Sequence, residues 1–231
     1  MSKSAPAPGQ SVGLVIFDCD GVLVDSEPIA NRVLAGALTD AGYPVTVAEC
    51  ERRFTGRTYR AVVEMVEAER RRPLPPGFRQ EVHERTISLF ATELRPIAGV
   101  AEIVRAGTVP KCVASSSSPR WIRAALETTG LLGLFEPHLF SAAMVAEGKP
   151  APDLFLYAAE EMGVEPLDCL VIEDSVAGIA AARAAGMRVL GFAGGGHAGA
   201  SDYIARLERE GAEAVFRDAA TLGTALGRIL K

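Results

Sequence analysis

The chain has 231 residues, of which 48% are hydrophobic and 23% charged, enough apolar material for one ordinary core and a smaller lobe. Its formal net charge of −5 provides no general attraction for nucleic acid or for an anionic membrane surface, so neither is an expected partner. No apolar stretch is long enough to predict a transmembrane helix. The four cysteines lie far apart without CxxC spacing, which predicts reduced thiols and a cytoplasmic location.

The amino terminus is small, polar and rich in proline, and residues 1–11 are predicted to form a flexible tail. A short apolar run follows at residues 12–17 and ends abruptly in charged residues. Continuous apolar runs of this length are typical of parallel strands buried on both faces. The first strand of a parallel sheet is therefore predicted here.

The next stretch, residues 27–91, has helical periodicity and almost no strand signal, and glycine and proline interrupt it where helices should end. We interpret it as an inserted α-helical cap domain. Its predicted helices cover residues 27–41, 47–54, 58–70 and 78–89.

The remainder of the chain alternates helix-compatible segments, beginning with a helix at 100–106, with short apolar runs at 111–114, 169–172, 187–192 and 213–216. Alternation of this kind predicts successive βα units and a parallel sheet covered on both faces. The predicted fold is therefore an α/β, doubly wound, Rossmann-like core. That core would comprise residues 12–26 and 92–231.

An acidic turn directly follows the first predicted strand and contains Asp18, Asp20 and Asp25. The carboxyl ends of parallel strands are where open α/β sheets bind ligands. Carboxylates this close repel one another unless a cation or protons compensate, and Mg²⁺ suits such hard oxygen ligands. The simpler alternative is that these aspartates cap a turn or a helix.

The segment FDCDGVLVDSE that contains this turn resembles the first signature motif of the haloacid dehalogenase superfamily, in its phosphatase branches. Three later segments resemble the other family motifs in the expected order: Ser115 at a strand end, Lys149 in GKPAPD, and the pair Glu173 and Asp174 after the strand at 169–172. The resemblance is to the branch of β-phosphoglucomutase and phosphoglycolate phosphatase, whose members have a small helical cap.

This resemblance implies a role for each motif residue. Asp18 would attack phosphorus to form an aspartyl-phosphate, and Asp20 would protonate the leaving oxygen and later deprotonate the attacking water. Lys149 and Mg²⁺ would neutralise the phosphate, to which Ser115 would donate a hydrogen bond. The metal ligands would be the side chains of Asp18 and Asp174 and the backbone carbonyl of Asp20. Glu173 would either bind the metal directly or hold a metal-bound water.

Several further residues have weaker assignments. Ser116 is expected to bind substrate beside Ser115, and Ser118 is expected to cap the helix that begins at Pro119. By resemblance, Gly56 and Arg57 belong to a substrate-binding loop of the cap, although a solvated arginine is an equal alternative. Trp121 is interpreted as a packing residue, the loop 194–201 could border the site, and His197 within it is not expected to take part in catalysis.

The predicted function is a magnesium-dependent phosphatase for a small phosphorylated metabolite: a sugar phosphate, a sugar-acid phosphate or phosphoglycolate. A β-phosphoglucomutase-like isomerase is the alternative. Against it, this chain has Ala30 at the position where the resemblance to such mutases would imply a histidine, and Thr55 where it would imply a lysine. A non-catalytic phosphometabolite-binding protein is a third reading. A monomer is expected, with a homodimer left open.

Overall fold

The computed structural model describes residues 11–54, 59–196 and 202–230. A parallel sheet of six strands forms its centre, with the spatial order β3-β2-β1-β4-β5-β6. The strands are β1 (Leu14–Phe17), β2 (Lys111–Ser115), β3 (Leu139–Ser141), β4 (Cys169–Glu173), β5 (Arg188–Phe192) and β6 (Val215–Phe216). The predicted α/β fold with a parallel sheet is confirmed.

The first strand shows why the apolar runs are continuous. Val15 and Phe17 face one hydrophobic cluster, whereas Leu14 and Ile16 face another on the opposite side of the sheet. Side chains alternate between the two faces of a strand, so a strand covered by helices on both faces needs apolar residues at every position. The apolar residues at every position of β1 agree with its place in the middle of the sheet.

Ten α-helices complete the described part of the chain. Four of them lie in sequence between β1 and β2: α1 (Glu27–Asp40), α2 (Val47–Phe54), α3 (Tyr59–Arg70) and α4 (Phe78–Glu93). The others are α5 (Val100–Ala106), α6 (Pro119–Thr128), α7 (Asp153–Glu161), α8 (Val176–Ala184), α9 (Tyr203–Glu210) and α10 (Ala219–Ile229). None of these helices is both long enough and apolar enough to cross a membrane.

The helices α1 to α4 agree with the four predicted between residues 27 and 91, except that α4 continues to Glu93. α1 packs on α2 and α4, and α4 also packs against α6 of the remaining chain. The contact between α4 and α6 includes the Trp121 ring, which meets Phe90 edge to face with ring centroids 4.8 Å apart. This helical segment therefore lies directly against the part of the chain that follows β2.

One strand, β3, is missing from the sequence-based prediction. It has only three residues, Leu139–Ser141, and lies at the edge of the sheet. Its apolar run is too short for a periodicity signal, and a serine ends it. β3 pairs with β2 so that Ser141 lies opposite Ser115, which places a second buried serine near the predicted site.

Candidate active site

The predicted site residues meet at the carboxyl end of the sheet. Asp18 directly follows β1, Ser115 ends β2, and Glu173 ends the adjacent β4. The register pairs Phe17 with Ile172, and the amide of Asp18 donates to the Ile172 carbonyl at 3.0 Å. The parallel pairing therefore places Asp18 and Glu173 side by side.

Lys149 lies at the centre of this group, although it comes from the loop before α7. Its ammonium donates to Asp18 Oδ1 at 2.7 Å, to Glu173 Oε1 at 2.6 Å and to the Ala114 carbonyl at 3.0 Å. Lys149 is only 7% exposed and Glu173 is completely buried. The peptide bond between Lys149 and Pro150 is cis. All three ammonium protons thus have acceptors, as a buried lysine requires.

Burial and neighbouring charges change the pKa values of Asp18 and Lys149. Burial raises the pKa of the Asp18 carboxyl well above its usual value; Lys149 lowers it, and Glu173, Asp174 and Asp20 raise it further. Burial by itself lowers the pKa of Lys149, but Asp18 and Glu173 together outweigh that effect and hold it above its usual value. Lys149 is therefore a permanent cation, and the carboxylates around it exceed its charge.

Three buried carboxylates, those of Asp18, Glu173 and Asp174, offer oxygens that all lie within 4.8 Å of one another. Together with Lys149 they carry a formal charge of −2 when ionised, which a divalent cation would balance. Hard carboxylate oxygens suit Mg²⁺. These residues therefore fit a site for a divalent cation.

Within this group both carboxylate oxygens of Glu173 accept hydrogen bonds. One oxygen accepts from Lys149, and Oε2 accepts from the backbone amide of Ser175 at 2.7 Å and from its hydroxyl at 2.9 Å. Asp174 follows directly, and the Tyr203 hydroxyl of α9 donates to its backbone carbonyl. Glu173 therefore links Lys149 to Ser175 at the start of α8.

Asp20 has a different environment. Among the described residues its carboxylate is not part of the potential metal group, and it accepts three hydrogen bonds. Ser26 Oγ donates to Oδ1 at 2.5 Å, the Trp121 indole nitrogen donates to the same oxygen at 2.8 Å, and Ser117 Oγ donates to Oδ2 at 2.6 Å. The side chain of Asp20 is therefore held by Ser26, close in sequence, and by Ser117 and Trp121, which lie 97 and 101 residues away.

The serine-rich turn at the end of β2, residues 115–118, has hydroxyl groups with different hydrogen-bond partners. Ser115 is buried, and its oxygen accepts from the Ser117 amide at 3.1 Å. Ser118 caps α6 through the Trp121 amide, as predicted. Ser116 is exposed, whereas the buried Ser141 donates to the Ser117 carbonyl at 2.6 Å. Ser117 and Ser141, which sequence reasoning missed, thus hold the turn to Asp20 and to β3.

Gly56, Arg57 and His197 lie outside the described residues. The described start of the loop at 194–201 contacts the acidic turn, since the Gly196 amide donates to Asp25 Oδ1 at 2.9 Å. The loop therefore begins next to the acidic turn.

A tightly packed glycine is a further residue that the motifs do not indicate. A Cβ on Gly178 of α8 would lie 1.8 Å from Glu173 Oε1, so any side chain there would displace the carboxylate that holds Lys149. We expect Gly178→Ala to lower the free energy of unfolding by about 1–3 kcal/mol, the usual cost of overpacking, and to reduce catalysis as well. Urea denaturation and an activity assay would measure the two effects.

The matched control is Gly227→Ala in α10, where nothing lies within 4 Å of the added Cβ. Alanine favours a helix over glycine by up to about 1 kcal/mol, so this variant should be as stable as the parent protein or slightly more stable. Equal behaviour of the two variants would show that the contact between Gly178 and Glu173 has no structural importance.

The carboxylates and the buried lysine lie at the carboxyl end of a parallel α/β sheet, which is where such sheets bind ligands. The model of the haloacid dehalogenase-like hydrolases matches residues 12–186, and the chain belongs to that family. A curated relative, the 6-phosphogluconate phosphatase of Escherichia coli, is 32% identical over 184 residues, which cover 79% of this chain and 83% of the relative. The predicted enzyme class, a phosphoric monoester hydrolase of this family, is confirmed.

Solved structures agree with this assignment. A haloacid dehalogenase-like protein of unknown function from Agrobacterium tumefaciens is 39% identical with a TM-score of 0.84, over 96% of this chain and 100% of that chain. A family hydrolase from Deinococcus radiodurans with bound phosphate and sodium is 33% identical, with a TM-score of 0.76 over 95% and 97%. CbbY from Rhodobacter sphaeroides, in complex with phosphate, is 25% identical, with a TM-score of 0.72 over 92% and 96%.

Proposed function

We propose that this chain is a magnesium-dependent phosphatase for sugar phosphates or sugar-acid phosphates, acting through an aspartyl-phosphate at Asp18. One observation carries the proposal: Lys149 is buried between Asp18 and Glu173, and the carboxylate of Asp174 belongs to the same group. This arrangement gives a nucleophilic carboxylate, a permanent cation beside it and a place for a divalent ion.

The metal would be held by the carboxylates of Asp18 and Asp174 and by the backbone carbonyl of Asp20. Lys149 contacts Oδ1 of Asp18, and a carboxylate has a second oxygen with which to bind a cation. Glu173 would support Lys149 rather than bind the metal. When bound, Mg²⁺ supplies positive charge that offsets the repulsion between carboxylates and phosphate and polarises the phosphoryl group.

The proposed reaction has two steps, in which each residue has a separate role. Asp18 attacks phosphorus, the bond from phosphorus to the ester oxygen breaks, and Asp20 gives its proton to that leaving oxygen. In the second step Asp20 takes a proton from the water that attacks the aspartyl-phosphate, which regenerates both carboxyl groups and releases phosphate. Lys149 offsets the negative charge throughout, and the Ser115 hydroxyl has a proton to donate to a phosphate oxygen.

The helical segment of residues 27–91 would form a cap domain that selects the substrate and excludes water. Its contact with α6, directly after the serine-rich turn, places it next to the residues assigned to phosphate and Asp20. Gly56 and Arg57 lie within this segment and are proposed to contact substrate. Closure of such a segment over the carboxylates would strengthen their electrostatic interactions.

The test is phosphate release from 6-phosphogluconate, fructose 1-phosphate and phosphoglycolate, each with Mg²⁺ and with EDTA. The similarity to a 6-phosphogluconate phosphatase makes that compound the first choice. We expect turnover of a sugar or sugar-acid phosphate with Mg²⁺ and none with EDTA. Conversion of glucose 1-phosphate to glucose 6-phosphate without phosphate release would favour the mutase, and binding without turnover would favour a non-catalytic protein.

Metal binding should also be visible in the free protein. At a Mg²⁺ concentration of 100 times the dissociation constant, binding stabilises the native state by about 2.7 kcal/mol. For a chain of this length that corresponds to a rise in melting temperature of about 5–10 °C. Differential scanning calorimetry with Mg²⁺ and with EDTA measures this rise.

The same scan on Asp174→Asn should show no rise, because the variant lacks one of the proposed ligands. The control is Asp40→Asn, since Asp40 lies on the surface beside Arg85 and outside the buried carboxylate group. It should retain the full rise. A rise of equal size in Asp174→Asn would place the ion elsewhere.

A further inference from the structure

Asp20 must hold a proton in one half of the proposed reaction and be ionised in the other, so its orientation matters in both. Its three hydrogen-bond donors differ in one respect. The hydroxyls of Ser26 and Ser117 can either donate or accept, whereas the indole N–H of Trp121 can only donate. Oδ1 of Asp20, which faces the indole, is therefore an acceptor in both halves of the reaction.

The indole itself is held firmly in place. Its ring lies 5.2 Å from the His83 ring and 4.8 Å from the Phe90 ring, measured between centroids, and both residues lie on α4. The Trp121 amide is fixed by the Ser118 cap, and the Ser118 hydroxyl lies 3.2 Å from His83 Nε2. The N–H of Trp121 thus has a direction set by two helices, and Ser26, at the start of α1, holds the same oxygen of Asp20.

We propose that Trp121 is a positioning residue for the acid–base step: its indole N–H fixes Asp20 Oδ1 as an acceptor and so directs the transferable proton to Oδ2. Oδ2 accepts from the Ser117 hydroxyl, and the amide of the same Ser117 donates to the Ser115 hydroxyl, which is assigned to phosphate. Protonation of Oδ1 would leave the indole N–H with a poorer acceptor. This inference depends on the proposed phosphatase function.

The role predicts a specific dependence on the leaving group. A sugar alkoxide needs a proton from Asp20 as the ester bond breaks, whereas p-nitrophenolate is a stable anion and needs little help. Loss of the indole N–H should therefore lower kcat/KM for 6-phosphogluconate or fructose 1-phosphate on the order of tenfold. The value for p-nitrophenyl phosphate should change by less than about threefold, because general acid catalysis contributes little to its cleavage.

Two altered proteins lack the indole N–H of Trp121 and differ in what else changes at that position. Trp121→Phe keeps an aromatic ring between His83 and Phe90. Because Trp121 is the only tryptophan in the chain, biosynthetic replacement by 3-benzothienylalanine changes this residue alone and exchanges the N–H for sulfur at nearly constant shape. The measured quantity is the ratio of kcat/KM for the two substrates. A partly unfolded sample loses the same fraction of both activities and leaves that ratio unchanged.

Phe90→Leu is the matched control, since it trims the other ring of the same contact and removes no donor from Asp20. We expect its substrate ratio to stay within about threefold of the parent value. An unchanged ratio in both N–H-deficient proteins, or an equal shift in Phe90→Leu, would overturn the role of Trp121 while leaving the phosphatase intact. A parent protein that hydrolyses none of these esters with Mg²⁺ would overturn the proposed function and this role together.

Discussion

Asp18→Asn is expected to reduce phosphatase turnover by at least about 10⁴-fold, because an amide cannot attack phosphorus as a carboxylate does. The change preserves the shape of the side chain and leaves an oxygen that can accept from Lys149. It also removes one negative charge from a buried group with a formal charge of −2, so the variant should fold at least as stably as the parent without metal. Initial rates of phosphate release and melting temperatures in EDTA measure both effects.

Asp40→Asn serves as the control for Asp18→Asn. Asp40 is exposed and lies near Arg85 at 3.3 Å, a surface pair that contributes little stability. The control should match the parent in both assays. If Asp18→Asn retained activity within tenfold of the parent, Asp18 would not be the nucleophile. Among the described carboxylates, only that of Asp18 both follows β1 and contacts Lys149.

Lys149→Met should damage both stability and catalysis. The substitution leaves Asp18 and Glu173 buried without their shared cation, and breaking such a pair from one side costs about 3–5 kcal/mol. For a chain of this length the melting temperature should fall by about 6–20 °C. Turnover should fall on the order of 10³-fold, because the developing phosphoryl charge loses a preorganised cation.

The stability loss in Lys149→Met should depend on pH with a definite sign. Burial and neighbouring carboxylates already raise the pKa of Asp18, and the loss of Lys149 raises it further. Protonation of Asp18 removes one of the two unpaired buried charges, so the difference from the parent should be largest near neutral pH and should shrink as the pH falls. Urea denaturation at a series of pH values tests this trend.

Lys111→Met is the matched control for Lys149→Met. Lys111 begins β2, is half-buried, and donates to the Gly107 carbonyl at 3.3 Å. Its replacement removes one hydrogen bond to an uncharged carbonyl. The free energy of unfolding should therefore change by about 1 kcal/mol or less, and turnover should not change. Similar losses in the two variants would indicate that the buried position of Lys149 has no special electrostatic role.

Much of this fold could be predicted from the sequence because its signals are local. A strand buried on both faces must be apolar throughout, which is why β1, β2, β4 and β5 are recognisable. Gly and Pro likewise indicate the ends of the helices between β1 and β2. The strand β3 lacked such a signal because its three residues pair at the edge of the sheet.

The environment of Asp20 could not be predicted in the same way. Ser117 and Trp121 lie 97 and 101 residues from Asp20 in sequence, and only the pairing of β1 with β2 brings them together. The sequence predicts that Trp121 is a packing residue, and it does pack against Phe90. Its N–H also donates to Asp20, which no sequence pattern indicates. The close approach of Gly178 to Glu173 likewise depends on how α8 meets β4 and has no sequence motif.

The covalent intermediate at Asp18 is the central claim, and Asp20→Asn offers the most direct measurement of it. With p-nitrophenyl phosphate the first step needs little general acid, whereas hydrolysis of the aspartyl-phosphate still lacks its base. Rapid acid quench should therefore show a burst of nitrophenol equal to the enzyme concentration, and mass spectrometry should find the phosphoryl group on Asp18. Turnover without a burst, or a phosphoryl group on any other residue, would contradict the mechanism.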